Sequence, residues 1–326
     1  MSTGNSGTHM IVRVLLIAGV AVSAGTPHAQ TTAYPNKPVR IMTFGAGGTL
    51  DFTARMMAQN LAEPLGQPVI VDNRNGSLPI EIAAKAMPDG YTLLVSSGVL
   101  WLTPYLRDRV SWDPIGDFAP ITLLVMSPNA IALHQSVAAT SVKELIALAR
   151  AKPGVLNYAT SGTGTVNHIS GELFKSMVSI DIVRINYSST GTAVTGLLAG
   201  QVQLMFANLA AMAPHVKSGK MKALAVTSAE PSILFPGLPT IAASGLPGYE
   251  AVSRLGAFAP ARTSATIVTR LNQEMVKVLN KTDVKEKFFN SGIETVGSSP
   301  AQLTEKVKSE MARLGKVIKD ANIRDE

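Results

Sequence analysis

Two short glycine-bearing loops, Phe44-Gly45-Ala46-Gly47-Gly48-Thr49 and Ser161-Gly162-Thr163-Gly164-Thr165, lie well apart in the chain, and each follows a strand-like run and opens a helix-like one. A strand that turns at once into a helix is the start of a βα unit, so the pair predicts two separate α/β halves. The pairing also suggests a ligand. The first N–H groups of a helix have no intrahelical partner and carry the positive end of its dipole, so two such starts facing each other can hold a carboxylate without a catalytic side chain. The plainer alternative is a glycine turn with no ligand, because glycine permits positive φ wherever a turn needs it.

The alternation of β-rich and amphipathic runs extends this reading. Val39 to Phe44 predicts a strand, and Leu50 to Leu65 a helix with Phe52, Met56, Leu61 and Leu65 on one face. Pro68 to Asp72 follows as a strand, Ile80 to Met87 as a helix ended by Pro88-Asp89-Gly90, and Tyr91 to Ser96 as a strand entering a Ser96-Ser97-Gly98 turn. This is the pattern of a parallel α/β half. A second half opens at Ser141-Val142-Lys143-Glu144, which has the form of a capping box. Asn157-Tyr158 enters the second glycine loop. Val166 to Met177 then predicts a helix, Ile182 to Ile185 a strand, Thr192 to Ala199 a helix, and Leu204 to Phe206 and Met221 to Thr227 strands. From Ala265 the chain reads as helices returning to the first half, the last announced by Ser299-Pro300-Ala301-Gln302. Extended apolar runs at Asn129 to His134 and Ser253 to Ala259 predict two crossings between the halves, and a two-crossing hinge suits a clamshell. The expected domains are 34–133 with 256–326, and 134–255.

Composition narrows the class. The chain has 326 residues, 46% hydrophobic and 16% charged, which is ordinary globular composition and long enough for two domains. Residues 1–29 read as a signal peptide: Arg13 lies in an apolar segment from Ile11 to Val22, followed by small residues and a cleavage region near Ala29. That run is too short for a permanent span, and no later segment approaches about 18 uninterrupted apolar residues. The expected product is exported, soluble and periplasmic. Cysteine is absent, which excludes disulfides, thiolate metal sites, a cysteine nucleophile and a lipid-anchored cysteine. The formal charge of +7 comes from scattered lysines and arginines without a run of five, so nucleic acid is not an expected partner.

The candidate chemistry is sparse. Gly45, Gly47 and Asp72 imitate a dinucleotide fingerprint, but Leu50 stands where the third glycine belongs, and no cofactor is expected. Asp51, in the first turn of a predicted helix, is better read as a structural carboxylate. His134, His168 and His215 lack zinc-site spacing, and Ser161 with His168 lacks a nucleophile elbow, so neither a metal nor a catalytic residue is assigned. Phe44, Ser97, Thr165, Tyr187 and Ser188 fall at or just beyond strand ends, where open α/β sheets place ligands, although each alone is equally well core or loop filler. These features favour a receptor over an enzyme.

Longer segments resemble a known family. Tyr34-Pro35-Asn36-Lys37-Pro38-Val39-Arg40, the Gly45 to Arg55 segment, Pro88-Asp89-Gly90-Tyr91-Thr92-Leu93 and Asp117-Phe118-Ala119-Pro120-Ile121-Thr122 are similar to the tripartite tricarboxylate transporter receptors, also called Bug-type solute-binding proteins. The similarity continues through the second glycine loop with His168, Gly171-Glu172-Leu173-Phe174-Lys175, Ala223 to Ser228, and Gly245-Leu246-Pro247-Gly248-Tyr249-Glu250. The resemblance implies a two-domain periplasmic-binding clamshell (type II) that holds a carboxylate in the interdomain cleft, partly through ordered water, and delivers it to a membrane permease. It implies contacts from Phe44, Gly45, Ala46, Gly47, Gly48 and Thr49 and from Ser161, Gly162, Thr163, Gly164 and Thr165, with Tyr187 and Asn208 lining the cleft. Departures from the usual pattern stand at Ala207, where many relatives have an aspartate, at Tyr187-Ser188-Ser189 in place of tyrosine-lysine-glycine, and at Ser77-Leu78-Pro79. Ala207 leads to the expectation of a small organic carboxylate without an essential ammonium group. The expected state is a monomer. An exported α/β enzyme acting on a carboxylated substrate and a ligand-sensing receptor for a signalling partner are the competing readings.

Overall fold

The computed structural model describes residues 34–324, with Met1 and Gly4 before them; the remainder of the segment read as a signal peptide lies outside the described residues. The first half runs β1 (Val39–Thr43), α1 (Thr49–Leu65), β2 (Val69–Asn73), α2 (Leu78–Ala84), β3 (Thr92–Ser96) and α3 (Gly98–Leu106) into the long strand β4 (Phe118–His134). The second half runs α4 (Val142–Ala151), β5 (Asn157–Thr160), α5 (Val166–Val178), β6 (Val183–Asn186), α6 (Thr190–Leu198), β7 (Leu204–Asn208), α7 (Leu209–Lys217) and β8 (Met221–Val226). The chain returns through β9 (Val252–Pro260), α8 (Ala265–Leu279), α9 (Thr282–Asn290), β10 (Glu294–Thr295) and α10 (Pro300–Asp320).

Each half is built around three parallel strands, β2-β1-β3 in the first and β6-β5-β7 in the second. Both sheets are completed by antiparallel strands, which the reading of a purely parallel half did not foresee. In the first sheet β9 lies between β3 and the early part of β4; in the second the later part of β4 lies between β7 and β8. Strand β4 therefore belongs to both sheets, leaving β9 at Pro128 and joining β7 at Asn129. Its Pro120 is accommodated beside a register shift, where the ladder does not need an N–H.

Burial explains the apolar runs. In β1, Ile41 and Met42 point to opposite faces and both are fully buried, as expected for a sheet covered on both sides. Ile41 joins a core with Leu61, Leu271 and Phe288, which places α8 and α9 on the first sheet. Met42 belongs to a second cluster with Trp101, Phe258, Tyr158, Phe206 and Leu314, which continues from the first sheet into the second. Helix α10 opens with the expected N-cap: the Gln302 N–H donates to Ser299 Oγ at 3.2 Å, and the Ser299 N–H to Gln302 Oε1 at 2.8 Å. The Ser141 motif is only half a capping box. Ser141 Oγ accepts from the Glu144 N–H at 3.2 Å, but the Glu144 carboxylate turns to the N–H and hydroxyl of Thr140, at 2.7 and 2.8 Å.

Candidate functional site

A cavity of about 530 Å³ opens beyond the C-terminal ends of the parallel strands. Phe44, after β1, and Ser97-Gly98-Val99, after β3, enter it from the first sheet; Thr163-Gly164-Thr165-Val166, after β5, enter it from the second. Open α/β sheets place ligands at this edge because the helix starts gather there. The rest of the wall is Gly76 and Ser77 after β2, Leu102, Thr103 and Leu106 of α3, Arg107, Trp112, Ile169 of α5, the start of β9, and Glu310 and Leu314 of α10.

The two glycine loops are held differently. In the first, the Gly47 N–H donates to Asp51 Oδ2 at 2.9 Å. Asn73 Nδ2 donates both to Asp51 Oδ1, at 2.9 Å, and to the Phe44 carbonyl, at 2.7 Å. Arg55 Nε sits 2.9 Å from Asp51 Oδ1. Burial alone would raise the Asp51 pKa, but the hydrogen bonds from Arg55, Gly47 and Asn73 and the charge of Arg55 outweigh it and hold the carboxyl below its ordinary range. Asp51 thus serves as the loop's internal anion, in keeping with the structural role expected of it. In the second loop, the Gly164 N–H donates to His168 Nδ1 at 3.2 Å and Thr165 Oγ1 donates to the Gly162 carbonyl at 2.9 Å. Arg184 braces the same loop through Thr160 and Thr163, each at 3.0 Å.

A third helix start, which the sequence reading passed over as a turn, faces the cavity. The N-cap of α3, Ser97, is extended and its side chain makes no capping hydrogen bond. The N-cap of α5, Thr165, does accept from the His168 N–H.

Of the residues singled out from sequence, Phe44, Ser97, Thr163, Gly164 and Thr165 line the cavity together. Gly45, Ala46, Gly47 and Gly48 form an exposed loop beside Phe44, with Thr49 exposed at the start of α1, and Ser161 and Gly162 precede the lining segment. Tyr187 lies against Gly196 of α6 and its hydroxyl donates to Gln201 Oε1 at 3.4 Å, while Ser188 reaches Thr192 at 3.4 Å. Ala207 is fully buried in an apolar cluster with Ala130 and Met205, and Asn208 Nδ2 donates to Ser127 Oγ. The sequence reading missed α3, Trp112, Arg254 and Glu310. Among the described residues, no group of three or more histidines, aspartates and glutamates could hold a metal ion.

Gly164 is a sharp test of this geometry. Its φ is +72°, and a Cβ there would meet Leu106 Cδ1 at 2.9 Å, so side chain and backbone are both constrained. Gly164→Val is expected to lower stability by about 1–3 kcal/mol. Gly48→Ser, at an N-cap where a Cβ meets nothing within 4 Å, should stay within about 0.5 kcal/mol. Urea midpoints of the two variants give the comparison; equal midpoints would refute it.

The comparisons with known proteins agree with this architecture. A family model described as "Tripartite tricarboxylate transporter family receptor" matches residues 53–323. Protein BugT of Bordetella pertussis is 33% identical over 240 residues, 71% of this chain and 74% of BugT. Among solved structures, R. palustris Rpa4515 with adipate is similar at 35% identity and a TM-score of 0.71, covering 89% of this chain and 99% of that one. MatC from Rhodopseudomonas palustris with bound malate is similar at 29% identity and a TM-score of 0.68, covering 87% and 100%.

Proposed function

The chain belongs to the tripartite tricarboxylate transporter receptor family, and from that premise we propose that it is a periplasmic receptor that binds an organic carboxylate and delivers it to a membrane permease of that transporter class. The observation that carries the reading is the cavity between the glycine loop of α5 and the uncapped start of α3, each presenting a helix N-terminus at a strand edge. The adipate and malate held by two similar structures point to the same ligand chemistry.

In this reading the chain is a two-domain clamshell of residues 34–133 with 256–326, and 134–255, moving about the strands that join the sheets. Closure brings the first glycine loop, Gly45 to Thr49, and Ser161, Gly162, Tyr187, Ser188 and Asn208 toward the anion and removes water from it, which strengthens each hydrogen bond. The protein retains its ligand rather than transforming it, acts as a monomer, and reaches the periplasm after removal of residues 1–29. Among the described residues no helix is long and apolar enough to cross a membrane.

A thermal-shift comparison of carboxylic acids with their amides tests this. A binding acid at 100 times its Kd stabilises the folded state by about 2.7 kcal/mol, and its amide should give a much smaller shift. Equal shifts for acid and amide, or consumption of the acid on incubation, would overturn the proposal.

A further inference from the structure

We propose, resting on the receptor reading above, that the ligand is a monocarboxylate with a bulky hydrocarbon body, a ring or a chain of about six carbons or more, rather than a compact polar di- or tricarboxylate. The walls carry the argument. Leu102 and Leu106 of α3, Trp112, Ile169 of α5 and Leu314 of α10 close around the cavity from separate elements, and all but Trp112 belong to helices. At about 530 Å³ the space is within the range of pockets that enclose ligands much larger than a four-carbon acid.

The charged lining narrows the class further. Arg254 and Glu310, 4% and 3% exposed, are paired with each other in the cavity wall. Arg254 also pairs with Glu250, and Glu310 accepts from Trp101 Nε1 at 2.8 Å. The guanidinium is thus already answered by two carboxylates. A second carboxylate on the ligand would lose its hydration against apolar side chains and a compensated ion pair, and burying an unanswered charge is costly. Arg107 also lines the cavity, but it is exposed, at the junction with an adjoining space of about 350 Å³ that includes Arg109, and an exposed, solvated cation does little to offset the burial of a second carboxylate among the apolar walls. The starts of α3 and α5 supply the place for one anionic group, and hydrocarbon fits the remainder.

Calorimetric titration of the full chain with octanoate, 3-phenylpropionate, adipate, malate and octanamide tests this. The expected result is that octanoate or 3-phenylpropionate binds at least about tenfold more tightly than adipate or malate, with a negative heat-capacity change, and that octanamide binds more weakly than octanoate. Tighter binding of malate or adipate would overturn this inference and leave the receptor reading standing. Equal binding of octanoate and octanamide would overturn the carboxylate in both, and no binding by any of the four acids would count against both. Leu106→Gln is expected to weaken binding of the preferred apolar acid by about tenfold. Leu314→Asn is the second variant if the first does not fold, and unchanged affinity in a folded variant would overturn the assignment of these walls.

Discussion

Glu310→Ala is expected to lower the stability of the fold by about 3–5 kcal/mol, the cost of removing one partner from a buried ion pair. The carboxylate of Glu310, on α10, pairs with Arg254 of β9 and accepts the indole N–H of Trp101 from α3 at 2.8 Å. Arg254 also pairs with Glu250, which is shared with Arg313 of α10 at 3.3 Å. Two arginines therefore face two glutamates, and the alanine variant leaves one positive charge in excess beside a side chain only 4% exposed. It also leaves the Trp101 N–H without its acceptor. Glu310→Gln retains an acceptor for that N–H while removing the charge, so its loss should be the smaller of the two. Urea denaturation of both variants reads the difference. A loss below about 1 kcal/mol in Glu310→Ala would mean that Glu250 alone can answer Arg254. Because α3, β9 and α10 are also walls of the cavity, the same network ties the ligand space to global stability.

The contrast between this network and the glycine loops explains what the sequence could reveal. The βα units were legible because a glycine turn between a β-rich run and an amphipathic one is a local signal, the cap at Ser299 is settled within a few residues, and Asp51 finds two of its partners, Gly47 and Arg55, within one turn of itself. Helix α3 was not legible. Its Gly98-Val99-Leu100-Trp101-Leu102 stretch is apolar without a polar face to give a period, and Pro104 near its end argues against a helix. Strand β4 was legible only in its later part, read as the extended run Asn129 to His134; its earlier part was hidden because Pro120 and Pro128 break its propensity, and its pairing partners come from both halves of the chain. The cavity walls are more distant still. Trp101 meets Glu310 across 209 positions and Arg254 meets it across 56, so no local pattern marks them as neighbours. Sequence thus indicated the edge of the sheets where a ligand would sit. The side chains that shape the space, and the hydrogen bonds already made within the loops, required the fold.

Acid should act on the second glycine loop through His168. The ring is 3% exposed, and burial, followed by the charge of Arg184, lowers its pKa to about 4 from an ordinary 6.5. Lys175 adds to the depression and Glu172 opposes it. In the folded protein His168 is therefore neutral at pH 7, with Nδ1 free of a proton and able to accept the Gly164 N–H at 3.2 Å. The unfolded chain takes up a proton near pH 6.5 and the folded one only near pH 4, so between these values the unfolded state binds more protons and stability falls as the pH falls. The full loss across that window is about 3 kcal/mol, complete below the folded pKa and absent above the unfolded one. His168→Asn places an amide oxygen near the position of Nδ1, so it can still accept from Gly164 but cannot titrate. Urea midpoints measured from pH 7.5 to pH 4 should then fall less steeply in the variant than in the parent, by about the same 3 kcal/mol over the window. Parallel curves would assign the acid sensitivity to other groups. Protonation at Nδ1 would put a donor against the Gly164 N–H, so the pH that costs stability is also the pH at which this cavity-lining loop loses its brace.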